Sequence, residues 1–407
     1  MRVYFHTFGC KANQYDTELV RQAFADHGAA VVDELVCADV AIVNSCTVTA
    51  AGEAKLRSFL RRLARERVGS VVMGCAAAVD DGTIAGVAGV RAVVGGADPA
   101  AVLRAAGVRP QEPARQLRRF AAGARAWLKI QDGCDEHCTF CATTIARGAN
   151  RSRPVAELVA EARTLAAYHA EIVLTGVHIG SYGVDDAPRT TRDVPRSLGL
   201  LLEALINAVP AVRFRLSSIE ATEIDAHVER LLVEAPRQLA AHIHAPLQSG
   251  SDRVLRRMGR HWYTAATYTG RLQQLAQRLP AFGLGADVMV GFPGETPEDH
   301  RATAALIERL PFTYLHVFPY SPRSDTAALR LGPPVPLAET RARAAELRAL
   351  GTAKGEAYRA ARRGQRADAV VCGRQGGQVE ALTEDYLPVY LGSDDWDGSR
   401  RLDVTID

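Results

Sequence analysis

The chain has 407 residues, of which 47% are hydrophobic and 23% charged, with a formal net charge of +3. That length implies two or three domains with ordinary cores, and it excludes a disordered chain or a small disulfide-stapled one. No run approaches the roughly 18 uninterrupted apolar residues of a membrane span. The start, MRVYFHTFGCK, has no basic segment leading into a long apolar one, so the expectation is a soluble cytoplasmic protein with no membrane partner.

Bulk charge says little about partners, but its distribution says more. Lys occurs only as Lys11, Lys55, Lys129 and Lys354; the remaining cationic charge is Arg, clustered at 57–67, 147–153 and 359–366. Arg makes bidentate phosphate contacts, although any one cluster also reads as a solvated helix face.

In chain order, the first ~95 residues alternate strand and helix patterns. VYFHTF (3–8), DVAIVN (39–44), SVVMG (70–74) and RAVVGG (91–96) read as strands; YDTELVRQAFADHG (15–28) and AGEAKLRSFLRRLARER (51–67) read as helices. Such alternation predicts a doubly wound parallel α/β domain over 1–96. Cys10, Cys46 and Cys75 each follow the end of one of those strands. In a parallel sheet the C-terminal strand ends share one edge, so three cysteines far apart in sequence converge where such sheets hold ligands. Three buried core cysteines are the alternative, but a core cysteine belongs inside a strand rather than just past it. Cys37 and Cys372 have no such placement and read as structural.

Residues 97–124 read as a linker or a short surface helix plus linker. From Arg125 a longer series begins, with strand runs at 127–130, 171–176, 213–219, 242–247, 285–292 and 314–320 and helical patterns between them. Six units predict a partial (β/α)6 barrel over 125–350, with its site at the C-terminal strand ends. A basic helix pattern covers 339–364. Short strand runs divided by Gly turns then predict a small RNA-binding β-barrel over 351–407.

The segment QDGCDEHCTFCATTIARGANRSRP (131–154) holds Cys134, Cys138 and Cys141 as C-x3-C-x2-C. Structural zinc needs four protein ligands, and no neighbour is an obvious fourth. Iron–sulfur clusters are held by thiolates, and three thiolates on a cubane leave one iron open to a small molecule. The loop follows the first strand of the barrel series, which puts it at the barrel mouth.

These residues resemble a known family. C-x3-C-x2-C after the first strand of a partial barrel resembles the radical S-adenosylmethionine enzymes. TFGCKANQYDTE (7–18), NSCTVT (44–49), RGANRSRP (147–154), LTGVHIGSYG (174–183), RLSSIE (215–220), HAPLQSGSDRVLRRM (244–258), ADVMVGFPGET (286–296) and FPYSPRSDTAA (318–328) are similar to the methylthiotransferases, with a C-terminal segment similar to the TRAM domain. The likeness covers nearly the whole chain. Three of these stretches (7–18, 44–49 and 174–183) look most like the branch acting on N6-threonylcarbamoyladenosine in tRNA. The alternatives are the same chemistry on N6-isopentenyladenosine or on a ribosomal-protein aspartate, or a non-catalytic metal-binding RNA-binding protein.

The resemblance implies two 4Fe-4S clusters and S-adenosyl-L-methionine. Cys134, Cys138 and Cys141 would hold the cluster whose open iron binds S-adenosylmethionine and cleaves it to a 5′-deoxyadenosyl radical. Cys10, Cys46 and Cys75 would hold an auxiliary cluster carrying the sulfur. A methylthio group would replace hydrogen at C2 of adenosine 37, next to the anticodon. Gly176, His244, Gln248, Gly291 and Arg147 are the expected cofactor contacts. The implied partners are the tRNA anticodon stem-loop, a reducing electron donor of the flavodoxin or ferredoxin type, and a sulfur donor. The sequence departs from the family pattern at Ala142-Thr143-Thr144 after the last loop cysteine and at Ala76-Ala77-Ala78 after Cys75; neither removes a ligand.

Overall fold

The computed structural model describes every residue except Val48, 112–115, Ala122, 186–196 and 393–395, and omits the side chains of Ala50 and Gln375. The N-terminal part runs β1 (Arg2–Thr7), α1 (Lys11–Asp26), β2 (Ala30–Val32), β3 (Val40–Ser45), α2 (Ala50–Arg65), β4 (Gly69–Gly74), α3 (Cys75–Ala78), β5 (Val90–Gly95) and α4 (Pro99–Ala105). Its five strands pair in parallel in the order β2-β1-β3-β4-β5. All of β3 is buried because helices cover both faces. Val40 and Ile42 pack with Phe24 and Leu103, whereas Ala41 and Val43 pack with Leu56 and Leu60. This is the period-2 alternation of a strand. Edge strand β2 is too short to leave a sequence pattern. The expected linker contains α4, capped by Asp98 with Pro99 at the first helical position. Residues 112–115 and Ala122 of that linker lie outside the described residues.

The central part begins with β6 (Ala126–Lys129), the short ribbon β7 (Gln131–Asp132) and β8 (Arg151–Ser152), and α5 (Thr143–Arg147) between the ribbon strands. It continues through α6 (Val155–Ala166), β9 (Glu171–Thr175), α7 (Leu198–Ala208), β10 (Arg213–Leu216), α8 (Ala226–Glu234), β11 (His242–His244), α9 (Asp252–Arg257), α10 (Ala265–Arg278), β12 (Gly283–Val290), α11 (Pro297–Arg309) and β13 (Tyr314–Pro319). Strands β10-β9-β6 and β11-β12-β13 form two parallel sheets. A parallel bridge between Ser218 and His244 joins them. The result is six parallel strands in chain order, the partial barrel expected. One core runs through it from Leu128 to Leu347, and Tyr15 of α1 belongs to that core.

Helix α12 (Leu337–Arg362) leads into four antiparallel strands: β14 (Arg366–Gln375), β15 (Gln378–Thr383), β16 (Pro388–Gly392) and β17 (Arg401–Thr405). Their order is β16-β15-β14-β17, with a bulge at Val371/Gly373 that helps curl the sheet. α12 is continuous across 350/351, where the sequence had placed a domain boundary.

The small sheet docks at the N-terminal ends of the barrel strands, opposite the cysteine loop. Glu171 is the anchor. It is fully buried and accepts from Arg125 (3.2 Å), Arg213 (2.6 Å) and Arg215 (3.0 Å). Those same arginines reach across to the small sheet, Arg213 to Leu382 O (2.8 Å) and Arg215 to Thr383 O (2.8 Å). Burial alone would raise the Glu171 pKa, but Arg215, Arg213 and Arg125 hold it well below the usual carboxylate range. Glu171→Ala leaves buried arginines without their counter-charge and is expected to cost about 3–5 kcal/mol in urea denaturation. Because the folded pKa is depressed, this contribution is complete above the unfolded value of about 4.3 and is lost as pH falls below it. The gap between wild type and variant is therefore expected to narrow on acidification.

Candidate active site

Three strand ends meet at Asn13. Its Nδ2 donates to Phe8 O after β1 (3.1 Å) and to Asn44 Oδ1 (3.0 Å) and Ser45 O (2.9 Å) of β3. Its Oδ1 lies 3.6 Å from Cys10 Sγ and 3.8 Å from Cys75 Sγ. Cys10 is the N-cap of α1, Cys46 directly follows β3, and Cys75 opens α3 directly after β4. In the order β2-β1-β3-β4-β5, Cys10 and Cys46 flank the point between β1 and β3 where the winding reverses, the crevice in which such sheets bind ligands. Burial pushes Cys75 up to about 11, against the pull of Arg147 and with smaller pushes from Cys10 and Cys46.

Two glycines make this approach possible. Gly9 has φ +114°, and a Cβ there would stand 3.0 Å from Cys46 Cβ. Gly74 has φ +95°, and a Cβ there would overlap Asn44 Oδ1 and Ser45 O. Each immediately precedes a cysteine of the trio.

The second trio sits in the loop closed by the β7–β8 ribbon, at the C-terminal end of β6. Every sulfur of the loop has N–H donors facing it. Glu136 N is 3.4 Å from Cys134 Sγ, Thr143 N is 3.3 Å from Cys141 Sγ, and Arg260 Nη1 is 3.7 Å from Cys138 Sγ. His178 Nδ1 lies 3.7 Å from Cys134 Sγ and its Nε2 pairs with Glu223 at 2.7 Å, off the line of a hydrogen bond. Burial opposes charge on His178, but these two partners raise it to about 10. Burial pushes Cys138 up to about 12 despite Arg260.

This donor set fits iron–sulfur clusters better than single ions. Thiolates on one zinc lie roughly 3.8 Å apart, as tetrahedral geometry with Zn–S near 2.3 Å requires. Among the described residues the one group of three or more His, Cys, Asp or Glu with ligand atoms all within 4.8 Å is His244, Asp287 and His316. In neither cysteine trio, then, do all three sulfurs lie within 4.8 Å of one another, a wider spacing than thiolates on one zinc take, and N–H donors to sulfurs are the usual environment of an iron–sulfur cluster.

Arg147, on α5, joins the two trios. It donates to Cys75 Sγ (3.1 Å) and Asn13 Oδ1 (2.7 Å) on one side and to Asp132 (2.9 Å) beside the loop on the other, with Asp16 at 3.0 Å. The other end of α5 carries Thr143, whose hydroxyl is 3.0 Å from Cys141 Sγ. Four helical residues advance roughly 6 Å, so one short helix spans between the trios.

A cavity of about 420 Å³ opens beside the loop, lined by Cys141, Thr143, Phe140, Gln248, Asp287, Met289 and Arg323, with Thr47 and Thr49 from beside Cys46. That volume suits a small organic ligand. Gln248 Oε1, Tyr320 Oη and Arg323 Nε are buried there without hydrogen-bond partners, which fits a polar occupant such as S-adenosylmethionine. Gln248 also has φ +58°.

Of the expected contacts, Arg147 and Gln248 thus lie at the trios or the cavity. His244 faces the barrel lumen, 3.2 Å from Asp287 and 3.0 Å from Tyr314 Oη. Gly176 abuts the Gln131 side chain, and Gly291 abuts Thr340 of α12 and donates to Glu295. Their lack of a side chain accommodates protein groups. Arg151 bonds the backbone of Arg147 and Ala149, and Arg153 pairs with Glu161 at 2.6 Å. The sequence reading did not single out Asn13, Asp132, His178, Arg260 or Arg323; the signal available for Asn13 was its place three residues after Cys10.

Residues 2–95 match Uncharacterized protein family UPF0004, and residues 128–307 match the Radical SAM superfamily. The threonylcarbamoyladenosine tRNA methylthiotransferase MtaB of Bacillus subtilis (strain 168) is 40% identical over 81% of this chain and 75% of its own length. MtaB of Aquifex aeolicus (strain VF5) is 33% identical over 96% of both chains. The chain belongs to the radical S-adenosylmethionine methylthiotransferase family. Within that methylthiotransferase family, the tRNA-2-methylthio-N(6)-dimethylallyladenosine synthase of Fervidobacterium nodosum is 30% identical over 81% of this chain and 77% of its own. The fold also matches the radical S-adenosylmethionine methyltransferase TsrM of Kitasatospora setae, solved with cobalamin and a [4Fe-4S] cluster. That match has TM-score 0.57 and 15% identity over 78% of this chain and 74% of that one.

Gly74→Ala is expected to be more destabilising than Gly107→Ala, which has φ +83° but open space around it. Both substitutions carry the strain of a positive φ, and only the first adds the collision with Asn44 and Ser45. The difference, more than about 1 kcal/mol, is read from paired urea denaturation curves.

Proposed function

We propose that this protein methylthiolates C2 of N6-threonylcarbamoyladenosine 37 in tRNA. The observation that carries the reading is the pair of thiol trios joined through Arg147 and α5, in a chain whose relatives at 40% and 33% identity bear that activity in their names. Cys134, Cys138 and Cys141 hold one 4Fe-4S cluster and Cys10, Cys46 and Cys75 the other. Bound there, the clusters and S-adenosylmethionine supply one-electron cleavage of a sulfonium and the sulfur to be transferred.

The chain's own residues prepare the rest. Arg147 and Arg260 place cationic N–H groups against the Cys75 and Cys138 sulfurs, whose ionisation burial opposes, and His178 faces the Cys134 sulfur; such donors favour thiolates for metal binding. Gln248 Oε1, buried and unpartnered, accepts a hydrogen bond from a bound ligand. Phe140, Met289 and Phe318 form apolar walls that limit water at the cavity. A nucleotide splayed from the anticodon loop enters from the strand-end side. The C-terminal β-barrel binds RNA from the opposite end of the barrel, and both contacts are salt-sensitive. The domains we assign are 1–96, the linker 97–124, the barrel from 125, and the C-terminal β-barrel, with α12 as the connection between the last two. No helix among the described residues is long and apolar enough to cross a membrane. We assign the protein to the cytoplasm, with a flavodoxin- or ferredoxin-type reductant and a separate sulfur donor.

The test is anaerobic incubation of reconstituted enzyme with S-adenosylmethionine, dithionite, sulfide and anticodon stem-loops, read by nucleoside mass spectrometry. A methylthio product on the threonylcarbamoyl substrate, and a much smaller one on the dimethylallyl substrate, is expected. Reversal of that preference would assign the chain to the other tRNA branch.

A further inference from the structure

Lys11 follows Cys10 and is the first residue of α1. Its half-buried ammonium stands 6.0 Å from the centroid of the Trp127 ring, and among the described residues it has no ion pair or hydrogen bond. Its surroundings make this unusual. Arg125 and Arg215 share Glu171, Lys129 and Arg147 share Asp16 and Asp132, Arg260 has Glu220, and Arg323 has Glu53. Asp287, the acidic group of the lumen nearest the cavity, is already bonded by His244 and His316 at 3.2 Å each. Around the two trios and the lumen, the other basic side chains named here are paired with acids, and Arg151 and Arg257 donate to backbone carbonyls, whereas Lys11 among the described residues does neither. A desolvated cation left without a counter-charge is costly unless a ligand supplies one.

A threonylcarbamoyl group joins threonine to adenine N6 through the amino group and leaves the carboxylate free. A dimethylallyl group is a hydrocarbon. We propose that Lys11 receives the carboxylate of the N6-threonylcarbamoyl group and so selects that substituent over an uncharged one. This rests on the reading given under Proposed function. A site built for a charged hydrogen-bond partner rejects an analogue lacking it far more strongly than an apolar pocket rejects a missing methylene. S-adenosylmethionine also carries a carboxylate, so the test must separate the two sources.

The experiment uses reconstituted holoenzyme of matched iron content as wild type, Lys11→Gln and Lys11→Arg. Fluorescence anisotropy at fixed salt measures binding of anticodon stem-loops bearing threonylcarbamoyladenosine, its methyl ester, or dimethylallyladenosine. S-adenosylmethionine affinity is measured alongside by equilibrium dialysis. Wild type is expected to bind the acid roughly 10- to 100-fold more tightly than the ester, a contrast that needs no variant. Lys11→Gln is expected to lose that preference with S-adenosylmethionine affinity unchanged, and Lys11→Arg to keep most of it. Persistence of the full acid-over-ester preference in Lys11→Gln overturns the assignment. So does a Lys11→Gln defect confined to S-adenosylmethionine, which places Lys11 on that carboxylate instead. Equal binding of acid and ester by wild type that still methylthiolates the acid overturns the role of Lys11 and leaves the proposed activity standing. Failure of wild type to modify the acid defeats the proposed activity itself.

Discussion

Asn13 and Arg147 hold the molecule's chemistry in place. Asn13 ties the ends of β1 and β3 together and turns its carbonyl oxygen toward Cys10, Cys75 and Arg147. Arg147 carries that contact onward to Asp132 at the base of the cysteine loop. The arrangement is over-determined by charge. Arg147 and Lys129 face Asp16 and Asp132, with all four groups at least partly buried, so loss of any one leaves an opposite charge exposed to a poor solvent. Two domains of different topology are thereby fixed in one register. The spacing between the trios is set by a single short helix rather than by a flexible linker.

The same principle operates at the far end of the barrel. Glu171 neutralises arginines from β10 and from the chain just before β6, and the arginines of β10 hold the backbone of the C-terminal sheet. Stacking of Tyr386 on His242, with ring centroids 4.4 Å apart, adds a second fastening. The barrel lumen toward this end is therefore polar, lined by charged groups most of which pair with one another. The main apolar core lies on the outer face beneath the helices, and Phe140, Met289 and Phe318 add apolar walls at the strand-end cavity. A lumen of this kind can remain open at the strand-end side, where chemistry needs room, and still be closed at the other by a docked domain.

Much of this was legible in the sequence. Strands ending just before Cys10, Cys46 and Cys75 gave the convergence of that trio, because parallel strands share a C-terminal edge. The six strand runs after Arg125 gave the partial barrel. What was not legible follows from the distances involved. Asn13 meets Asn44, Ser45, Cys75 and Arg147, partners up to 134 positions away, and periodicity carries no information about such contacts. Arg213 and Arg215 alternate as strand residues should, but nothing local indicates that Glu171 and a sheet near residue 383 neutralise and cover them. Gly176 and Gly291 were expected as cofactor contacts, and the close neighbours that a side chain at each would strike, Gln131 and Thr340, carried no local sequence signal. Helix α12 crosses 350/351 because its pattern continues unbroken to Arg362.

The central claim is that two independent thiol trios, brought together by folding, each hold a separate cluster. Iron and sulfide analysis of anaerobically reconstituted wild type, Cys75→Ala and Cys138→Ala proteins tests it most directly. The account predicts about eight iron atoms for wild type and about four for each variant, as two 4Fe-4S clusters require. Near-complete iron loss in both variants, or about one zinc with no sulfide in wild type, would contradict it.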